Sequence, residues 1–286
     1  MSDLPEDFAL VTRCIRKLRG FSQPFLAEAS DGLLYVVKFA NNHHGPNLLF
    51  NEIAGTELYR ACRLPVPDWK PLLVTDSFLD QNPECWRRSE EGPIRPESGL
   101  CFGSRFLGGE GGEILQVIPA TMFNRIANRE NFWLSWLVDI CAFHTDNRQA
   151  IFRKNAKGDL EVFFIDHGHM FGGPDGKMRP HFFVSHYLDQ RLYQSLSSKC
   201  RSSLLSIPPK IDLERLWRRV DAIPKAWRNV TAIRTFFQCL DGLSNSGFLK
   251  AALEEATRAH RQNNYHNDNF SGKSRIPLAT ILRTGI

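Results

Sequence analysis

The chain has 286 residues, 42% of them apolar and 23% charged, a balance that fits one large domain or two lobes with a substantial buried core and excludes a disordered chain. Seven scattered cysteines with no C-x-x-C pair exclude a disulfide framework or a zinc knuckle and predict reduced, mostly buried thiols. The net charge of +5 suits a polyanionic nucleotide and a weak nucleic-acid contact equally, so charge does not choose between them.

Residues 9–18 alternate in hydropathy, 20–24 (Gly-Phe-Ser-Gln-Pro) break the pattern, and 25–29 resume it. Ser30, Asp31 and Gly32 form a hairpin turn, because Asp and Gly tolerate positive φ. Residues 33–39 then read as a buried strand, and 48–62 switch to helical spacing, with Leu49, Ile53, Thr56, Leu58 and Ala61 able to share a face. Pro65 and Pro67 stop that helix; strands are predicted at 69–75 and 99–107, with a polar, proline-containing loop over 80–98. The glycine-rich stretch 108–112 is the sharpest composition break and reads as the neighbourhood of a hinge. Beyond it the pattern is helical at 120–128, 130–143, 188–196, 212–222 and 230–258, and from His260 it becomes a polar tail. The fold class is therefore α+β and bilobal: residues 1–107 as a β-rich lobe, 108–258 as a mainly helical lobe, 259–286 as the tail. No run is long enough to cross a membrane, and residues 1–7 are acidic where a signal peptide would be basic, so the expected location is the cytoplasm.

Four ionisable residues, in order, carry the chemistry. Lys38 lies in a run that should be buried, where an unpaired ammonium would cost several kcal/mol, so it needs a carboxylate or a phosphate. Glu52, at the start of the next element, can supply the carboxylate; a strand lysine held by a helix glutamate is how kinases grip α- and β-phosphates. The plainer reading is a strand lysine reaching for solvent. Asp146 follows a strongly apolar helix and can orient an acceptor hydroxyl, while Arg148 can pair with Asp146 or neutralise a transferring phosphoryl group. Gln149 offers a neutral oxygen acceptable to Mg²⁺ where kinases present asparagine. Asp166 follows the apolar run Val162-Phe163-Phe164-Ile165, with Gly168 letting the chain turn away; a hairpin turning at Asn155–Gly158 returns it to the edge that carries Asp146, as a metal ligand. Gly20 and Ser22 lie in a strand–strand turn whose N–H groups and hydroxyl can line phosphate oxygens, or which is a plain hairpin. His144, His167 and His169 offer H-x-H spacing for zinc without a cysteine pair or a clear further ligand. No G-x-S-x-G elbow and no strand-linked G-x-G-x-x-G is present.

These motifs resemble the HipA-like kinases, a branch of the protein-kinase-like superfamily that borders on the phosphatidylinositol kinases. The resemblance spans about the first 230 residues. Its marks are Gly20-Phe21-Ser22-Gln23-Pro24-Phe25, Tyr35-Val36-Val37-Lys38-Phe39, Asn51-Glu52, Leu64-Pro65-Val66-Pro67, Asp146-Asn147-Arg148-Gln149, Ile165-Asp166-His167-Gly168 and Ile223-Pro224-Lys225-Ala226-Trp227. The Asp-x-Arg-Gln and Ile-Pro-x-x-Trp stretches look like the small, single-domain bacterial type. The resemblance implies a two-lobed kinase fold, ATP and Mg²⁺ as cofactors, Lys38 and Glu52 as the phosphate grip, Asp146 as catalytic aspartate and Asp166 as metal aspartate. It implies a protein serine or threonine as acceptor without naming it. Two departures stand out: Gln149 in a shortened catalytic loop and a glycine-poor phosphate turn. The rival expectations are a small-molecule or lipid-headgroup kinase and a nucleotide-binding pseudokinase; nucleic acid is not the expected partner.

Overall fold

A computed structural model describes residues 7–20, 22–42, 47–108, 113–155, 157–174, 176 and 185–270, the last nine of these as backbone alone. The alternating N-terminal segment forms β1 (Ala9–Lys17), followed by β2 (Phe25–Ala29) and β3 (Leu34–Lys38). Helix α1 (Leu48–Ala61) intervenes before β4 (Trp69–Val74) and α2 (Asp76–Gln81). A short hairpin, β5 (Arg87–Ser89) and β6 (Gly92–Ile94), then leads to β7 (Gly99–Arg105). Five of these strands close a barrel in the order β1-β2-β3-β7-β4, sealed by parallel pairing of β1 with β4. Closure leaves no unpaired edge. Phe25, Val37, Phe39, Leu72, Val74 and Cys101 fill the barrel, with Phe78 and Leu79 of α2 and Cys85 in the same cluster.

The loop expected over 80–98 is largely structured. Thr75 caps α2 by accepting from the Phe78 amide, and a 3₁₀ turn at Pro83–Cys85 leads into the β5–β6 hairpin. Two apolar residues in α2 and strands three residues long give no periodicity to read.

The remaining chain builds a second body. It contains β8 (Ile114–Leu115), α3 (Asn131–Cys141), β9 (Gln149–Lys154) and β10 (Leu160–Ile165), then α4 (Ser198–Ser206), α5 (Leu213–Asp221), α6 (Val230–Ser244) and α7 (Ser246–Phe270). The three strands form a sheet in the order β10-β9-β8. The helix expected over 120–128 is a 3₁₀ helix ending at Arg125, and that over 188–196 shrinks to one 3₁₀ turn; the regular helix there, α4, starts after the Ser197 cap. Residues 230–258 are two helices, not one, because Asn245 ends α6 and its side chain accepts from the Phe248 amide of α7. Helix α7 continues past His260, where the sequence predicts a tail, to Phe270. The hinge expected at 108–112 lies mostly outside the described residues, as does the chain beyond 270. Among the described residues no helix is long and apolar enough to cross a membrane.

The two cores divide the chain differently from the predicted boundary at 107. Every residue of α1 from Leu48 to Tyr59 is buried, and its apolar ones join the core built by α3, β9, β10 and α6 rather than that of the barrel. A helix covered on all sides that still contains Asn51, Glu52, Thr56 and Glu57 must satisfy each polar group internally. That demand builds the site.

Candidate active site

Val37 points into the barrel, so Lys38, its neighbour on the pleat, faces outward towards α1. Its ammonium bonds Glu52 Oε1 and, at 2.9 Å, Asp166 Oδ1. The expected lysine–glutamate pair is thus a three-residue cluster drawn from β3, α1 and the end of β10. The other bonds of Glu52 go to the backbone: Oε1 accepts from the Gly168 amide at 3.1 Å and Oε2 from the His167 amide at 3.2 Å. Gly168 is required here for closeness, since a Cβ would lie 2.3 Å from Leu48 Cδ1 and 2.9 Å from Glu52 Oε1. The turn assigned to Gly168 from sequence is made by Asp166 itself, whose φ is +62°.

Register explains why distant residues meet. Lys17 pairs with Phe25 and Phe25 with Val37, so the 20–24 turn lies at the end of the barrel that carries Lys38. Gly20 (φ +137°) shapes that turn, and the Gln23 side chain ties it to the backbone of Arg88 in both directions, at 2.9 and 2.6 Å. No hydrogen bond joins Gly20 or Ser22 to Lys38, Glu52 or Asp166 among the described residues. Gln149 and Ile165 are the last pair of the β9–β10 hairpin, whose turn has Gly158 at φ +84°. That pairing puts Asp166 beside the 144–148 loop, and Gln149 Nε2 donates to Asp166 Oδ2 at 2.8 Å. The loop is also laced to the segment after Asp166, the Thr145 amide bonding His169 O at 2.9 Å and the Phe171 amide bonding Ala142 O at 2.6 Å. Asp146 stands half-buried in this loop, its carboxylate accepting from the Asn147 amide at 2.7 Å.

Electrostatics follow from this packing. Burial works against the charged form of Lys38, but Asp166 and Glu52 outweigh it and raise the pKa, so the ammonium stays charged. Burial also works against the Asp166 carboxylate, yet Lys38 holds its pKa well below the usual range. Burial pushes the Glu52 carboxyl up to about 7, against the pull of Lys38. Asp166 retains 28% side-chain exposure, so its oxygens can be reached from outside.

Arg148 does not take the position expected of it. It is 1% exposed and pairs with Asp139 of α3, not with Asp146: Nη2 meets Oδ1 at 2.6 Å and Nε meets Oδ2 at 2.9 Å. Tyr59 donates to the same carboxylate at 2.7 Å, and its ring lies under the guanidinium. The remaining reach of Arg148 goes to the carbonyls of Ile165 (3.0 Å) and Asp166 (3.2 Å), so it braces the backbone around Asp166 and is itself closed off from any ligand. Arg148→Met strands the Asp139 carboxylate and should cost about 3–5 kcal/mol. Asp139→Leu with Arg148→Met should recover much of that loss in urea melts. Equal destabilisation in single and double variants would contradict the pairing argument.

The imidazoles do not assemble for zinc. His144 and His167 are buried, burial lowers both pKa values, and His167 Nδ1 faces Arg148 Nη1 at 3.3 Å, where a second cation is repelled. Among the described residues no group of three or more His, Cys, Asp and Glu side chains is placed to hold a metal. Asp166 carries hard oxygen donors of the kind that suits Mg²⁺, and Gln149 turns its amide nitrogen, not its oxygen, towards them. Glu52 is 2% exposed and already accepts from Lys38 and two amides, so it is closed to a metal arriving from outside.

Sequence reading gave no role to three residues that organise the site: Asn51, noted only as a mark of the resemblance, Tyr59 and Asp139. Two of them leave a trace, because an acid between Val138 and Ile140 in an apolar helix and an asparagine inside the buried run of α1 each require a partner.

No protein-family model matches the sequence, and no curated protein does. Among solved structures the chain is similar to the Helicobacter pylori proinflammatory kinase CtkA, at 14% identity and a TM-score of 0.48 over 88% of this chain and 97% of that one. It is also similar to a Golgi casein kinase with Mn/ADP bound, at 13% identity and a TM-score of 0.41 over 87% of this chain and 73% of that one. A further structure of the Golgi casein kinase gives 11% identity and a TM-score of 0.42, over 87% and 74%. Likeness this distant transfers no residue roles, and the HipA-like assignment has no family match behind it.

Proposed function

We propose that this chain is a kinase-like phosphotransferase of HipA-like type that moves the γ-phosphoryl group of ATP to a hydroxyl, most specifically that of a protein serine or threonine. The observation that carries the proposal is Lys38, a buried and charged ammonium held between the carboxylates of Glu52 and Asp166 at an accessible edge. A phosphate oxygen can take the place of one carboxylate at Lys38 without leaving the ammonium unpaired. Glu52 keeps the lysine oriented meanwhile. Asp166 and Gln149 would hold Mg²⁺, which when bound neutralises charge on the phosphate oxygens. Asp146 orients the acceptor hydroxyl and takes its proton as the oxygen–phosphorus bond forms and the bond to the β-phosphate oxygen breaks, releasing ADP. Positioning supplies most of the acceleration in such a site, and burial of the lysine cluster keeps water from competing for the charges.

A second reading has its own support. Both Asp166 oxygens are engaged, by Lys38 and by Gln149, and Gln149 stands where asparagine is the usual ligand. That arrangement favours a pseudokinase that binds nucleotide without turnover. Incubation with [γ-³²P]ATP and Mg²⁺, with EDTA and Lys38→Met as controls, decides between the two. Metal-dependent labelling of the chain itself or of an acceptor supports the kinase. ATP binding with no labelling and no hydrolysis supports the pseudokinase.

The grip has its own check. Lys38→Met keeps the aliphatic stem and should weaken ATP binding. Combined with Glu52→Gln, it should show a coupling energy of roughly 0.5–3 kcal/mol in a double-mutant cycle read by urea melts. Additive effects would mean that the short contact between the two side chains contributes nothing.

A further inference from the structure

We infer that Asn51 is a positioning residue for Asp166, acting through the backbone of the segment that follows it; the inference rests on the proposed phosphotransferase reading. Asn51 is fully buried in α1, one residue before Glu52. Its amide nitrogen donates to Gly168 O at 2.9 Å and Met170 O at 2.7 Å, and reaches Gly173 O at 3.3 Å. Two N–H bonds thereby serve three carbonyls. With Glu52 accepting from the His167 and Gly168 amides, two adjacent residues of one helix fix five backbone groups of the segment from 167 to 173.

Two further observations show how closely α1 and this segment are fitted. A Cβ on Gly55, one helical turn from Asn51, would lie 2.6 Å from both His167 Cβ and Met170 Sδ. The Asn51 oxygen is buried with no hydrogen-bond partner, a desolvation cost that an apolar residue of the same shape would avoid. Holding the carbonyls is what the asparagine offers in return. Asp166 sits at φ +62°, a conformation that its own side chain does little to enforce, so the chain on its C-terminal side must be held from elsewhere. Arg148 holds the carbonyls of Ile165 and Asp166, and Asn51 holds those that follow. Asn51 touches no substrate group; it works by keeping the Asp166 oxygens where a metal ion would meet them, as outer partners of metal ligands do.

The test uses the full chain and follows the rise in melting temperature given by ATP, first in EDTA and then across a Mg²⁺ titration. Asn51→Leu keeps the side-chain breadth and removes both donors. It should raise the Mg²⁺ concentration for half the effect by about tenfold or more. The shift by ATP in EDTA, which depends on Lys38 in the barrel, should stay within about twofold of wild type. Leu243→Ala, a core truncation in α6, lowers stability without removing any hydrogen bond to the segment and should leave the Mg²⁺ dependence unchanged. If Asn51→Leu does not fold, Asn51→Ser, which retains one donor, should show the same displacement to a smaller degree. A folded Asn51 variant with the wild-type Mg²⁺ dependence overturns the inference alone, as does Leu243→Ala displacing it equally. A wild-type chain that ATP and Mg²⁺ do not stabilise overturns the phosphotransferase reading and this inference with it.

Discussion

Asp166→Asn should reduce phosphoryl transfer by about two to three orders of magnitude or more while the protein stays folded. The substitution removes the charge from a carboxylate that bonds Lys38 and Gln149 and retains 28% exposure. It does not disturb the core. Asparagine is also the replacement best suited to φ +62°, because its short polar side chain tolerates the left-handed region. Alanine there would add a backbone cost of about 1–2 kcal/mol and confuse stability with function. Lys38 keeps Glu52 as partner in the variant, so binding of ATP without metal should survive. The measurement is thermal melting with ATP, with and without Mg²⁺, beside a labelling assay. Equal stabilisation of wild type and Asp166→Asn by Mg²⁺ and ATP would remove Asp166 from the metal site.

Asp146→Ala should do the opposite: nucleotide affinity nearly unchanged and transfer slowed by about 10² to 10⁴. Asp146 is half-buried, the carboxylate's hydrogen bond goes to the neighbouring Asn147 amide, and no bond ties it to Lys38, Glu52 or Asp166. Truncation therefore costs the fold little and leaves the phosphate grip intact. Gln149→Asn separates the two readings of the neighbouring amide. The shorter side chain should impair transfer if the reach from β9 to Asp166 matters, and be neutral or beneficial if glutamine merely stands in for asparagine. A wild-type chain no more active than Asp146→Ala in labelling and in ATP hydrolysis would settle the matter for a pseudokinase.

The parts of the site that sequence disclosed were those where local chemistry is out of place. A lysine within Tyr35-Val36-Val37-Lys38-Phe39 and an aspartate ending Val162-Phe163-Phe164-Ile165 both demand a partner, whatever the tertiary fold. The barrel strands and α1 were legible for the same reason, being long enough to show a period. What could not be read were contacts made by tertiary packing alone. Asp166 meets Lys38 across 128 residues, and Arg148 chooses Asp139 over the closer Asp146 because α3 presents a buried acid on the side the loop passes. Asn51 looked like part of a motif and nothing more, since its partners are backbone carbonyls that no side-chain pattern records. Helix α2, the β5–β6 hairpin and the 3₁₀ turns were too short to carry any periodic signal.

The division of the two cores has a mechanical consequence. Lys38 belongs to a barrel strand, whereas Asn51 and Glu52 belong to α1, whose apolar residues pack with the other body, and Asp166 follows β10 of that body. The ammonium therefore joins a barrel strand to the other body, at a boundary where Phe102 of β7 already packs into the core that holds α1. A second fastening, from Trp69 of β4 to Glu57 of α1 at 2.6 Å, lies further along the same helix. An anion bound at Lys38, as the proposed function requires, would compete with Asp166 for that ammonium and supply its own charge in return.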